Sequence, residues 1–309
     1  MLPNFIIIGA NKAGTTSLYH YLSQHPEIFM SRIKEPMYFT FKDASESEKL
    51  SNNSNLNIWL KDTTYTLEDY MDLFKNSEGY IARGEASTSY INNYKAADEI
   101  HSLLPDIKII AILREPISRA ISNYKMHVDW GMEYQSFKDA IKDELKNRSK
   151  NEWQYLKKGL YASPVEYYLE RFPQNQIKIY LFEEFTNNTE AILKDIFLFL
   201  GVNPFFKVNT TRIHNTSSIT KNYNKNNFKV FVEKYVPEQI ENKIKKYFDK
   251  ISESAPGVIR SIIKPEKSNN FLKSKKLILK LKKYYEEDIN KLELLINKDL
   301  SHWKNRYVW

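Results

Sequence analysis

Cysteine is absent from this 309-residue chain, which excludes disulfides, thiolate zinc sites and cysteine nucleophiles while leaving the redox compartment open. Long hydrophobic runs are missing too, since no stretch approaches the roughly eighteen apolar residues of a membrane span. The short apolar run near the amino terminus breaks at Gly9 and has no basic leader before it. Cytoplasmic residence is therefore the expectation, unless the sequence is trimmed from an anchored enzyme. His20, His25, His101, His127, His214 and His302 show no H-E-x-x-H or comparable spacing. A metal hydrolase is disfavoured and no metal is expected.

With 42% hydrophobic residues the chain can fill a sizeable core. Its 46 basic against 38 acidic residues leave a formal charge of +8, which favours anionic ligands without choosing among nucleotides, phosphorylated cofactors and acidic polymers. The lysine runs Lys243–Lys246 and Lys273–Lys283 read as solvated helix faces or as a functional basic surface.

Phe5-Ile-Ile-Ile8 is a short β-branched run of the kind buried on both faces of a parallel sheet. Gly9 to Gly14 forms a turn, and Thr16 to Ser23 reads as a helix. Tyr80–Gly84 is a weaker strand; Lys108–Leu113 is the strongest, followed by Arg114 and by Pro116 at a helix start. Ile177–Phe182 and Thr189–Leu200, the latter closed by Gly201, repeat the pattern. Residues 43–57 read as an exposed excursion. The predicted class is α/β, with a mainly parallel central sheet flanked by helices and a P-loop-like strand-loop-helix at its start. No internal repeat is present. One domain over 1–309 is expected, with a long loop over 203–227 and a mainly helical portion over 228–309. Within that portion Leu277, Leu281, Tyr284, Tyr285, Ile289, Leu292 and Ile296 recur at helical spacing.

A glycine-bearing loop between strand and helix aims backbone N–H groups at a phosphate. Gly9 and Gly14 have the spacing of a nucleotide triphosphate loop, yet Thr15-Thr16 follow where Lys-Ser or Lys-Thr is needed, and the lysine lies inside the loop as Lys12. A triphosphate enzyme also wants an aspartate at the end of a second strand to hold magnesium. Here that strand ends in Arg114, which can grip a phosphate with two hydrogen bonds and cannot ligate a metal. Two anion sites at adjacent strand ends suit a nucleotide phosphorylated at two places on its ribose.

On these residues the chain resembles the sulfotransferases that use 3′-phosphoadenosine 5′-phosphosulfate (PAPS). Lys12-Ala13-Gly14-Thr15-Thr16-Ser17 is similar to that family's 5′-phosphosulfate loop, and Arg114-Glu-Pro-Ile-Ser-Arg119-Ala-Ile-Ser122 to its 3′-phosphate motif. The resemblance extends through Lys34-Glu35-Pro36-Met-Tyr-Phe39, Gly84-Glu85-Ala-Ser87, Gly159-Leu-Tyr161 and Phe197–Gly201. It covers roughly the first two thirds of the chain and favours the bacterial and carbohydrate, heparan-type branch.

The resemblance implies a PAPS donor, 3′-phosphoadenosine 5′-phosphate (PAP) as product, and no metal. It places Lys12 over the oxygen bridging phosphate and sulfate, the loop from Ala13 to Ser17 on the 5′-phosphate, and Arg114 and Ser122 on the 3′-phosphate. Ser122 reads alternatively as an ordinary helix serine, and Arg119 as a phosphate ligand or a surface charge. Glu35 is the implied general base, or else an ion-paired loop residue positioning Lys34; His101 is the nearest match to the histidine base of the family's cytosolic branch, but it falls at the end of an apparent helix. Lys34 and Glu85 are the implied substrate contacts; Glu85 orients acceptor or lysine, or else caps a helix. Lys221 is the implied basic ligand of a late loop that closes over the nucleotide. Trp59, Trp153 and Tyr161 are candidates for stacking on a sugar or the adenine. The expected acceptor is the hydroxyl of a sugar or polysaccharide, with a small natural product (oxygen or nitrogen acceptor) and a nucleotide kinase as alternatives. Neither a nucleic-acid partner nor a membrane span is expected.

Overall fold

A computed structural model describes residues 1–42, 62–130, 132–133, 135–148, 153–211 and 274–307. Its centre is a five-stranded sheet of β1 (Phe5–Gly9), β2 (Ile28–Met30), β3 (Ala82–Ala86), β4 (Lys108–Leu113) and β5 (Ile177–Leu181), ordered β2-β3-β1-β4-β5. Every pairing is parallel. All five residues of β1 are buried, as are the last five of β4, because helices cover both faces of a parallel sheet. β3 lies two residues beyond the expected Tyr80–Gly84, and β2 had no sequence signal beyond three residues.

The helices are α1 (Thr15–Leu22), α2 (Tyr38–Phe41), α3 (Leu67–Asp72), α4 (Tyr94–Leu103), α5 (Pro116–Asp129), α6 (Phe137–Leu145), α7 (Ala162–Arg171), α8 (Phe182–Asn187), α9 (Thr189–Leu200), α10 (Lys275–Ile296) and α11 (Ser301–Asn305). None of the described helices is long and apolar enough to cross a membrane. The expected exposed excursion over 43–57, Trp59 and His214 fall outside the described residues, as do Lys221, the Lys243–Lys246 run and most of the 203–227 loop.

α5 begins as its sequence dictates. Pro116 occupies its first turn, and the Glu115 carboxylate accepts from Ile117 N (2.9 Å) and Ser118 N (2.7 Å), satisfying two of the helix's otherwise unpaired donors. α10 buries Ile278, Leu281, Tyr285, Ile289 and Leu292, so its stripe is rotated to Ile278 in place of Leu277. It packs on α5 and α7, and Asp288 receives the Tyr161 and Ala162 amides at the head of α7 (2.8 and 3.0 Å). Lys275, Lys276, Lys280 and Lys283 lie exposed on the opposite side, the solvated-face reading of that run.

The chain reaches β2 from β1 on one side of the sheet and β5 from β4 on the other. In open parallel sheets the crevice outside the carboxyl ends of two such strands is the ordinary ligand site. The loops after β1 and β4 flank it here.

β1 and β3 touch through a missing side chain. Phe5 pairs with Gly84, and a Cβ there would lie 2.2 Å from the Phe5 ring. Gly84→Ala should destabilise the fold by about 1–3 kcal/mol through overpacking, measured by urea denaturation; unchanged stability would contradict this packing.

Candidate active site

The phosphate-type loop is built from conformations that few side chains adopt. Gly14 precedes α1 with φ 90°, and Lys12 is left-handed at φ 68°. Glu35 (φ 63°) and Met37 (φ 51°) share that region, which costs a non-glycine residue about 1–3 kcal/mol. Strain of this kind persists where surrounding contacts over-determine the backbone.

Arg114 leaves the end of β4 and turns back over the loop. Its Nη1 donates to the Lys12 carbonyl (2.9 Å), and its guanidinium lies 4.5 Å above the Phe182 ring. The edge of Phe182 also abuts Gly14, where an added Cβ would meet it at 3.3 Å. Tyr161 holds the Arg114 carbonyl through its hydroxyl (3.0 Å). The arginine is thereby fixed by its backbone, its plane and one N–H. Lys12 Nζ reaches Met126 Sδ at 3.3 Å. Among the described residues neither cation has a carboxylate within 4 Å.

Burial lowers the pKa of both. For Lys12 desolvation comes first, then the Arg114 charge, with Asp129 opposing; for Arg114 desolvation dominates and Glu183 opposes. Two desolvated cations facing one crevice, with backbone N–H groups at the head of α1 beside them, form a preorganised seat for an anion. The donor set fits a doubly phosphorylated ribonucleotide. Ala13, Thr15 and Ser17 are buried within the loop and α1, and Thr16 is half-buried. Ser122 is half-buried, two turns into α5.

The motif after β2 brings in the carboxylates. Glu35 Oε1 receives Lys34 Nζ at 2.6 Å, and Oε2 receives the Thr88 amide at 2.7 Å. The Thr88 hydroxyl stands 3.1 Å from both oxygens. Glu35 is thus ion-paired with Lys34. A carboxylate offers about four lone-pair sites, so these bonds leave Glu35 room to accept another proton. Lys34 also contributes to the field on Lys12, which ties the motif to the cation crevice.

Three expectations are corrected. Glu85 neither caps a helix nor reaches a substrate: it is wholly buried in β3, with Tyr70 Oη 3.3 Å from its Oε1. Arg119 is not a surface charge or a phosphate ligand. It is 0% exposed, donates to the Tyr155 carbonyl, and its Nε and Nη1 lack partners among the described residues. Tyr161 is 1% exposed with its hydroxyl committed to Arg114, so it offers no stacking face. Trp153 packs against His127, with ring centroids 4.0 Å apart and planes tilted by 32°. Burial pushes the His127 pKa down to about 3, which keeps that imidazole neutral. His101 packs on Phe172 at the end of α4. Neither the Phe182 platform, beyond being an aromatic after β5, nor Thr88 beside Glu35 carries a signal readable from sequence.

Burial lifts the Glu85 carboxyl from the ordinary 4.5 to about 7; hydrogen bonds with Ser87, Tyr90 and Tyr70 pull it down and the nearby Glu35 charge pushes it up. A carboxyl raised in the folded state stabilises fully below its unfolded pKa. That contribution fades as pH rises from about 4.5 to about 7. Measured by urea denaturation, wild type should therefore lose about 3 kcal/mol relative to Glu85→Gln across that window; a pH-independent difference would contradict it.

Residues 3–206 match the model of the "Sulfotransferase family". Among curated proteins the chain is similar to mouse carbohydrate sulfotransferase 15, 28% identical over 256 residues, covering 66% of this chain and 44% of that protein. It is likewise similar to human bifunctional heparan sulfate N-deacetylase/N-sulfotransferase 3, 31% identical over 215 residues, covering 66% of this chain and 23% of the relative. The chain thus matches less than half the length of these relatives. Among solved structures, a sulfotransferase from Alicyclobacillus acidocaldarius superposes with a TM-score of 0.71 at 29% identity, covering 98% of this chain and 99% of that one.

Proposed function

This chain belongs to the sulfotransferase family, and from that premise we propose that it moves a sulfuryl group from PAPS to an acceptor hydroxyl, with Glu35 as general base. The observation that carries the reading is the pair of uncompensated cations, Lys12 and Arg114, held over one loop at the ends of β1 and β4.

PAPS, when bound, supplies an activated sulfuryl group and a phosphate leaving group. The Gly14 turn and the head of α1 hold the 5′-phosphate through backbone N–H groups and the hydroxyls of Thr15, Thr16 and Ser17. Arg114, with Ser122 on the next helix, holds the 3′-phosphate. Lys12 stands where negative charge grows on the departing phosphate, so its ammonium stabilises the transition state more than the ground state. Partial burial of Lys12 strengthens that effect.

A hydroxyl near its own high pKa is a poor nucleophile and needs a base. Glu35 takes the acceptor proton at a carboxylate oxygen while the Thr88 amide and hydroxyl keep its plane fixed. Lys34, 2.6 Å from Oε1, neutralises the resting carboxylate between the donor crevice and the acceptor. The acceptor oxygen attacks sulfur in line with the breaking S–O bond, and PAP departs. The relatives' names, carbohydrate and heparan sulfate sulfotransferases, support a sugar or polysaccharide acceptor, and the +8 charge suits an acidic glycan.

Glu35→Gln should lower transfer from labelled PAPS to desulfated heparin by about 10²–10⁴-fold and leave calorimetric PAP affinity within about threefold. Full activity in that variant would remove Glu35 from the role. Arg114→Ala should weaken PAP binding by about 1.5–3 kcal/mol, some tenfold to a hundredfold; unchanged PAP affinity would count against the 3′-phosphate assignment.

A further inference from the structure

The mechanism leaves the buried carboxyl of Glu85 without a task. It faces no solvent, yet three hydroxyls converge on it. Tyr70 Oη lies 3.3 Å from Oε1, and Ser87 and Tyr90 engage the same carboxyl. Oε2 makes no well-formed hydrogen bond among the described residues. A buried carboxyl costs free energy that an apolar side chain of similar size would not, so its surroundings call for an explanation.

Each of the three hydroxyl-bearing residues holds a different residue of the segment that carries Glu35. Ser87 Oγ accepts from the Met37 amide at 3.0 Å. Tyr90 Oη accepts from the Phe39 amide at 3.4 Å. The Tyr70 ring stacks on Tyr38, with centroids 4.6 Å apart and planes 14° from parallel. Directly before them, Glu35 N donates to the Ala86 carbonyl at 2.9 Å, on the residue that follows Glu85. Met37 and Glu35 are both left-handed, a conformation that relaxes unless neighbouring contacts enforce it.

We infer that Glu85 is a positioning residue for Glu35, a buried post that orients Ser87, Tyr90 and Tyr70 so that they hold Met37, Phe39 and Tyr38 and keep the strained Lys34–Met37 bend aimed at the crevice. The inference rests on the reading of Glu35 as the base. Glu85 touches neither donor nor acceptor. Its effect passes through hydroxyl orientation, since a hydroxyl bonded to a carboxyl turns its lone pairs toward the waiting amide. A displacement of about 1 Å at a catalytic group is enough to cost some hundredfold in rate.

The test compares Glu85→Leu, Glu85→Gln and Ser87→Ala by hydrogen exchange of the peptide Lys34–Phe39, by PAP calorimetry, and by transfer from labelled PAPS to desulfated heparin. Glu85→Leu should accelerate exchange at Met37 and Phe39 about tenfold or more and lower kcat about tenfold or more. Its KM for PAPS and PAP affinity should stay within about twofold, and Glu85→Gln, which keeps hydrogen-bonding atoms in place, should restore both readouts. Exchange and kcat unchanged in Glu85→Leu, or PAP affinity falling in parallel with kcat, would overturn the inference. Should Glu85→Leu fail to fold, Ser87→Ala cuts one link alone and must speed exchange at Met37; if it does not, the inference is wrong. Activity retained in Glu35→Gln would sink the base reading by itself, while the exchange data would still decide whether Glu85 holds the bend.

Discussion

The site depends on a repulsion. Lys12 and Arg114 carry like charges, both partly withdrawn from water, and the Arg114 charge is the second cause of the lowered Lys12 pKa after burial itself. Left alone, such a pair would separate into solvent. It is held because Arg114 is pinned on Phe182, bonded to the Lys12 carbonyl and braced through its own carbonyl by Tyr161. The fold therefore stores an electrostatic deficit at the carboxyl ends of β1 and β4 that a polyanion relieves. Preorganised charge of this kind needs no rearrangement when negative charge grows during reaction.

The carboxylate side of the crevice obeys a complementary constraint. Glu35 is aimed by strained backbone, and the strain is balanced by contacts from β3 and the turn after it: Ala86, Ser87 and Thr88 each bond the Glu35–Met37 segment. The Glu35 motif follows β2 but is bonded to the end of β3 and the turn after it, and the parallel β1–β3 register fixes it relative to the loop after β1. Lys34 lies between them, paired to Glu35 and felt by Lys12.

Much of this was legible in the sequence because the strongest strands are continuous β-branched runs and the candidate site residues follow them closely. Lys12 follows β1, Arg114 follows β4, and the misplaced loop lysine already argued against a triphosphate site. The misses share a physical origin. β3 carries Arg83 and Glu85 within a buried strand, so its polarity masked its extent. Arg119 looked exposed because helix periodicity cannot reveal that α10, more than 150 residues later, covers that face of α5. Glu85 resembled a site carboxylate since position after a glycine says nothing about burial, and the hydroxyls that surround it come from α3 and the turn after β3. Thr88 and Phe182 became visible only when separate loops were brought together.

The central claim, a cation pair built for a nucleotide phosphorylated at both ends of its ribose, is tested most directly by calorimetric titration of the wild-type chain with PAP and with ATP, each with and without magnesium. The account predicts that PAP binds tighter than ATP and that magnesium does not strengthen its binding. Magnesium-dependent ATP binding tighter than that of PAP would contradict it.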